Sequence, residues 1–186
     1  MSLLSYNRLC ELLKMGIVQG SSEEYVNSSS IDLTLGKIIL VEAGHGRSRT
    51  VRLKERDSLN FTAYNMEEQG PFTLQPGQFV LAHTKEVFAL PRYLSAEYKL
   101  KSSMARMGLE HLNAGWCDPG WNGSVLTLEL KNMTWHHNIV LEPGVRIGQM
   151  VFFDHEPVPA NFSYDKRGTY NGDESVSPSK PMEYPK

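Results

Sequence analysis

The sequence predicts a mostly β fold, a distorted barrel or sandwich carrying one or two short helices. Apolar and polar residues alternate at period two in several short runs. Those runs recur at regular spacing, and Pro-Gly turns at Pro76-Gly77 and Pro143-Gly144 punctuate them. The 186 residues, 40% hydrophobic and 22% charged, suit one sizeable core and hence a single domain over residues 1–157. A formal net charge of −2 lacks the basic excess that general nucleic-acid or membrane-surface binding needs. Neither partner is expected, and an anionic ligand has to be met by a local cluster of cations. Cys10 and Cys117 stand in no metal-ligand spacing, and neither a secretory leader nor a run of 18 apolar residues is present, so a reduced, cytoplasmic chain is expected.

In chain order, residues 5–16 read as an amphipathic helix, with Ser5 as cap, Leu9, Leu12 and Leu13 on one face, and Gly16 as stop. Ile31, Leu33 and Leu35 alternate with Asp32 and Thr34, which predicts a half-buried strand ending at Gly36; Lys37 to Glu42 continue extended. Residues 43–70 are polar and turn-rich, including Gly46, Arg47 and Arg49, and read as loops around a short strand at Thr50–Leu53. Pro76-Gly77 lies between two β-rich runs, and Val87 to Leu90 reads as another strand, ended by Pro91. Ser102 to Leu109 suits one or two helical turns. A turn at Asp118-Pro-Gly120, a strand from Val125 to Leu130 and a strand from Val145 to Phe153 follow. Residues 158–186 are proline-rich and poor in aliphatics, so they form no core of their own. This tail reads as a flexible end, a flap closing over a ligand, or an arm docked on a neighbouring subunit.

Two places stand out chemically. Ser102 and Arg106, four residues apart, share a helix face beside Ser103 and Lys101, which suits either a phosphate site or a capped surface helix with a solvated arginine. Glu129 interrupts the apolar run Val125-Leu-Thr-Leu-Glu-Leu130, with Val125 and Thr127 on its side of the strand. It lies either on a solvent-facing sheet surface or in a lined pocket, where its pKa would rise toward neutrality and suit proton transfer. Asp118 commonly would close its own turn. His136 and His137 read as surface residues, with no third ligand placed to finish a zinc site. The H-x-E and P-C-x-x-C signatures of zinc nucleobase deaminases are absent.

Taken together, these segments resemble the dCTP deaminase branch of the dUTPase-like superfamily, in order across roughly residues 28 to 153. The residues carrying the resemblance are Ser29-Ser-Ile-Asp-Leu-Thr-Leu-Gly36, Leu74-Gln-Pro-Gly-Gln-Phe-Val-Leu81 with Val87-Phe-Ala-Leu-Pro91, and Lys101-Ser-Ser-Met-Ala-Arg-Met-Gly-Leu109. They continue with Ala114-Gly-Trp-Cys-Asp-Pro-Gly-Trp121, Leu126-Thr-Leu-Glu-Leu-Lys-Asn132 and Pro143-Gly-Val-Arg-Ile-Gly-Gln149. The resemblance implies a dUTPase-like distorted barrel, a homotrimer with active sites between subunits, and hydrolytic deamination of dCTP to dUTP and ammonia. It further implies no zinc, and Mg²⁺ bound through the triphosphate rather than by the protein. Glu129 would be general base and acid, with Ser102 holding the water and Arg106 stabilising charge. Lys101, Ser102 and Ser103 would cradle the phosphates, Asp118 would contact the deoxyribose, and the backbone of Thr127, Leu128 and Glu129 would read the pyrimidine edge. Tyr164 and Tyr170 would stack or hydrogen-bond from the tail.

The chain departs from the family pattern in three places. Asp118 to Glu129 is one step longer than expected and Arg106 to Asp118 one shorter, so the turn must be rebuilt, with a bulge after Gly123 as one route. In the tail, Tyr164 to Asp173 fills the place of a closing K-Y-Q-G-Q segment, with Thr169 and Asp173 substituted. Asp173 would repel a triphosphate unless Mg²⁺, or Lys166 and Arg167, offset it. Two other functions fit the resemblance: a bifunctional dCTP deaminase and dUTP diphosphatase (or a plain dUTPase), favoured by Ala114-Gly-Trp116, and a non-catalytic binder of dCTP, dUTP or dTTP. Glu129 together with Trp121 favours deaminase over plain dUTPase.

Overall fold

The computed structural model describes residues 2–44, 50–53 and 59–180. The expected loop residues Gly46, Arg47 and Arg49 lie outside them. In chain order the elements are β1 (Ser2–Leu3), α1 (Tyr6–Lys14), β2 (Val18–Gln19), β3 (Ile31–Thr34), β4 (Ile38–Glu42), β5 (Phe61–Asn65), α2 (Met66–Gln69), β6 (Phe72–Leu74), β7 (Phe79–Ala89) and β8 (Leu94–Leu100). They continue with α3 (Ser102–Arg106), β9 (Leu109–Glu110), β10 (Trp116–Cys117), β11 (Asn122–Asn132), β12 (Ile139–Leu141), β13 (Arg146–Asp154) and α4 (Tyr164–Arg167). The fold is mostly β as predicted, with four short α-helices among the described residues instead of one or two. Neither large sheet closes on itself. One runs β1-β13-β8-β10 with β3 also on β13; the other runs β5-β4-β7-β11-β9 with β2 also on β7; β6 and β12 form a separate pair.

Local chemistry accounts for most boundaries. Helix α1 buries Leu9, Cys10 and Leu12, and stops where Gly16 and Ile17 donate backbone hydrogen bonds to Leu13 and Leu12. Strand β3 is buried on both faces, not half-buried, because its polar side is covered by partners. Asp32, 2% exposed, accepts from Asn27 Nδ2 at 2.8 Å and from Lys101 Nζ at 2.7 Å. Thr34 gives its N–H and hydroxyl to Glu86, whose carboxyl burial pushes to a raised pKa. Alternation in sequence shows polarity, and polar residues with partners can be buried too.

Three expectations are corrected. Thr50–Leu53 forms no strand; the paired strand of that region is β5, followed by α2. The two runs around residues 78–91 form a single strand, β7. Strand β8, not expected at all, is central: it pairs with β13 along seven residues and with β10 on its other side. The Pro76-Gly77 turn connects different sheets, since β6 pairs with β12 while β7 pairs with β4 and β11.

The core lies between the sheets. Leu128 and Leu130 of β11, Phe152 and Met150 of β13, and Phe88 of β7 are all fully buried. At about 1.5–3 kcal/mol for each large side chain removed from water, such residues fix β11 in register. The expected irregularity after Gly123 is present. Asn122 pairs with Ala89 and Ser124 with Phe88, so Gly123 is the extra residue, at φ +67° where a side chain would be strained.

Candidate active site

Strand β11 presents Val125, Thr127 and Glu129 to a cavity of about 460 Å³, while Leu128 and Leu130 point into the core. A second register shift between Val125 and Thr127 lets Leu126 reach the wall as well. Aromatic and aliphatic side chains line most of the cavity, among them Phe61, Phe79, Leu81 and Trp121. Its carboxylates are Asp118, Glu129 and Asp173. No lysine, arginine or histidine is among the described lining residues.

Glu129 is therefore in the pocket and not on an open sheet face. Its side chain is 27% exposed, and burial raises its pKa from the ordinary carboxylate range. Oε2 points inward and has no hydrogen-bond partner, with His111 Nε2 3.5 Å away. The contact is not an ion pair at neutral pH, because burial pushes the pKa of His111 down to about 4. Behind the histidine stands Tyr98, 2% exposed, its ring centroid 4.4 Å from the imidazole. Gly148 lets Tyr98 fit there: a Cβ at that position would overlap the phenol ring.

Asp118 sits at the turn into β11, and Trp116 Nε1 donates to its Oδ1 at 3.0 Å. The C-terminal segment supplies the far wall. Tyr164, Tyr170, Asp173, Ser177, Pro178 and Ser179 all line the cavity. This segment is attached to its own chain by two main-chain bonds, Gly172 N–H to Asn122 O and Val125 N–H to Asp173 O, and by Ser177 N–H donating to the Thr127 hydroxyl Oγ1 at 3.3 Å. Trp121 Nε1 and Ser124 Oγ both donate to Tyr170 O, at 2.9 and 3.1 Å. Asp173 is paired, but not by the cations the sequence suggested. Lys180 holds it, together with Ser177 Oγ at 2.6 Å, while Lys166 pairs with Asp165 and Arg167 lies over the Phe162 ring.

The outer edge of β11 is interrupted here. Val125 bonds to the tail and Lys131 pairs with Glu110 of β9. In an antiparallel ladder alternate residues address the same side, so the main-chain groups of Thr127 and Glu129 face the gap between tail and β9.

Of the expected site residues, the structure gathers Asp118, Thr127, Glu129, Tyr164 and Tyr170 around one cavity. The side chain of Leu128 is in the core, so only its main chain is available to a ligand. Lys101, Ser102, Ser103 and Arg106 lie elsewhere in the same chain. Ser102, Ser103 and Arg106 are exposed on α3, and Lys101 is held by Asp32. His111, Tyr98, Phe61 and Phe79 were not anticipated. His136 and His137 are exposed, as expected. Among the described residues no group of three or more His, Cys, Asp or Glu side chains is placed to hold a metal ion. Among them also, no helix is long and apolar enough to cross a membrane.

A sequence model described as dCTP deaminase-like matches residues 3–155. The chain belongs to the dCTP deaminase-like family. A "dCTP deaminase, dUMP-forming" of Nanoarchaeum equitans is 32% identical over 194 residues, covering 96% of each chain. Another protein so named, from Acidothermus cellulolyticus, is 39% identical over 159 residues, covering 83% of this chain and 81% of the relative. In fold, the crystal structure of 2′-deoxycytidine 5′-triphosphate deaminase from Agrobacterium tumefaciens superposes with a TM-score of 0.62 at 24% identity. That superposition covers 82% of this chain and 48% of the other, so the present chain spans about half its length. The dCTP deaminase-like match stops at residue 155, before the segment that forms the cavity's far wall.

Proposed function

We propose that this protein hydrolytically deaminates dCTP, with Glu129 as the proton-transfer group, and carries the product on to dUMP. The observation that bears most weight is Glu129 itself: a half-buried carboxylate of raised pKa on the wall of a largely apolar cavity. A carboxyl whose pKa is raised by burial holds a proton more readily than an ordinary carboxylate, which suits a group that must both accept and return one. In the proposed reaction a water attacks C4 of cytosine while Glu129 takes its proton. Proton delivery to N3 and to the amine then expels ammonia and leaves uracil. The main-chain groups of Thr127 and Glu129, facing the gap beside β11, suit the pyrimidine edge, and Asp118 suits the deoxyribose.

The cavity lacks cations on its described walls, yet a triphosphate carries several negative charges. This supports cations reaching the cavity from another subunit, and we infer the homotrimer that the resemblance implies, with Lys101, Ser102, Ser103 and Arg106 of one subunit serving the cavity of the next. Exposure of Ser102, Ser103 and Arg106 leaves them free for that role. Mg²⁺ would enter with the triphosphate, and cytoplasmic nucleotide pools are the proposed setting. Formation of dUMP, the alternative to release of dUTP, is favoured by the names of the relatives and by Ala114 and Trp116 lining the cavity.

Measurement of ammonia and pyrophosphate from dCTP tests both parts. Ammonia with an equal amount of pyrophosphate is expected; ammonia with dUTP accumulation would limit the activity to deamination. Binding of dCTP, dUTP or dTTP without ammonia would leave a nucleotide-binding regulatory module. Glu129→Gln should abolish ammonia release while leaving dCTP binding nearly intact.

A further inference from the structure

Four buried side-chain polar atoms lack a hydrogen-bond partner among the described residues, and three of them form one cluster: Tyr98 Oη, His111 Nε2 and Glu129 Oε2. Orphaned buried polar atoms are uncommon in folded proteins, and three together behind a pocket carboxylate call for a functional explanation. The cluster is built from three elements. Glu129 comes from β11 and Tyr98 from β8. His111 directly follows β9, whose Glu110 pairs with Lys131 two residues along from Glu129. Each part is held firmly. His111 is 3% exposed, with its backbone N–H on Glu110 Oε1 at 2.8 Å, and Tyr98 is clamped against Gly148 and Gly115.

We propose that His111 is a positioning residue that acts through Glu129, holding its inner oxygen Oε2 so that Oε1 is the oxygen that exchanges protons in the cavity. His111 in its Nε2–H tautomer donates to Oε2, and closing the present 3.5 Å separation by a few tenths of an ångström completes that bond. With Oε2 occupied by a donor, a proton taken from the attacking water is directed to Oε1. The same donor stabilises the ionised carboxylate between turnovers and counteracts the desolvation that favours its protonated form. Tyr98 packs against the imidazole, ring centroid to ring centroid 4.4 Å, and fixes its plane. No bond is made or broken at His111 itself. The other titratable groups facing Glu129 are Cys117 and Asp118 on one wall, and Tyr164, Tyr170 and Asp173, with Lys180 on Asp173, on the tail. Glu110 is the charged neighbour of His111. None of these makes a hydrogen bond to Oε2.

This inference rests on the deaminase reading, and the test separates the two. His111→Leu removes the donor, and His111→Gln returns an N–H near the position of Nε2. The assembled full-length protein is used throughout, with melting temperature and dCTP affinity measured alongside rate. For His111→Leu, kcat for ammonia release should fall about 10- to 100-fold with KM changed less than about threefold. The acidic limb of its pH profile should move to higher pH, because an ionised base without its donor holds its proton more tightly. His111→Gln should recover most of the rate and return the limb toward its original position. An unmoved limb and an unchanged kcat in His111→Leu would overturn the proposal, as would a loss that glutamine fails to rescue. Nitrogen NMR of the imidazole gives a readout independent of turnover. His111 should be in the Nε2–H form, and its shifts should respond to Glu129→Gln; an Nδ1–H tautomer indifferent to that change refutes the pairing even if Leu fails to fold. Absence of ammonia from the wild-type protein would instead defeat the deaminase reading, leaving the NMR result to decide the pair.

Discussion

Glu129→Gln is expected to make the protein more stable as it makes it inactive. The carboxylate is partly desolvated, its Oε2 has no hydrogen-bond partner, and its surroundings are Leu81, Phe79 and the neutral His111. Leaving one buried acceptor unsatisfied costs about 1–3 kcal/mol, more when it is charged. Partial exposure and the weak His111 contact reduce that figure, so a gain of about 1 kcal/mol is expected on replacement by a neutral amide. For a chain of this size that raises Tm by roughly 2–4 °C. The pH dependence gives the sharper test. The pKa of Glu129 is raised on folding, so its carboxyl is compatible with the fold below the ordinary carboxylate range and loses stability as pH rises through the folded value. Glutamine carries no such dependence. Melting curves of the two proteins should coincide below the ordinary carboxylate range and separate progressively as pH rises above it, the variant being higher. Glu86, also raised by burial, is common to both proteins and cancels in the difference. A variant equal to or below wild type at every pH would refute the claim that burial destabilises the ionised carboxylate here.

Asp32→Asn keeps the shape but removes the charge that holds Lys101 and, at 3.5 Å, Arg146. It should cost about 3 kcal/mol and lower Tm by roughly 6–12 °C, and the freed Lys101 should weaken triphosphate binding, measured as dCTP affinity. Gly148→Ala places a methyl group in the Tyr98 ring and should destabilise the protein by about 2–3 kcal/mol in denaturant melts. Lys180→Ala exposes the Asp173 carboxylate to the substrate, so KM for dCTP should rise several-fold with kcat little changed. Asp173→Asn in the same background should reverse the effect.

Much of the site could be read in the sequence because each block is locally coherent. The alternation of Val125 to Leu130 survives in the structure as core-facing Leu128 and Leu130 against cavity-facing Thr127 and Glu129. The irregularity expected near Gly123 is present as a bulge at that residue. Other features were hidden for identifiable reasons. Strand β8 alternates cleanly, but Leu94-Ser-Ala-Glu-Tyr-Lys-Leu100 has no β-branched residue and is rich in helix formers; pairing with β13 overrides that preference. The tail lacks aliphatics, yet it attaches through main-chain bonds and the polar edges of Trp121 and Ser124, which hydropathy does not register. His111 has no periodic or spacing signal; only the meeting of β9 and β11 brings it to Glu129.

The interruption along β11 has a further consequence. An unpaired sheet edge is a template for foreign strands, and proteins generally cover or shorten such edges. Here the docked tail stops the ladder at Val125 and β9 resumes it at Lys131. The two exposed rungs, at Thr127 and Glu129, stand about 7 Å apart. That opening is too short to recruit another chain, but it is wide enough for a planar heterocycle whose rim alternates donors and acceptors. A bound base would thus serve as the missing rung of the ladder. Occupancy would then tie the tail, β11 and β9 into one continuous hydrogen-bonded layer, so that slowed amide exchange at Thr127 and Glu129 reports the filled site.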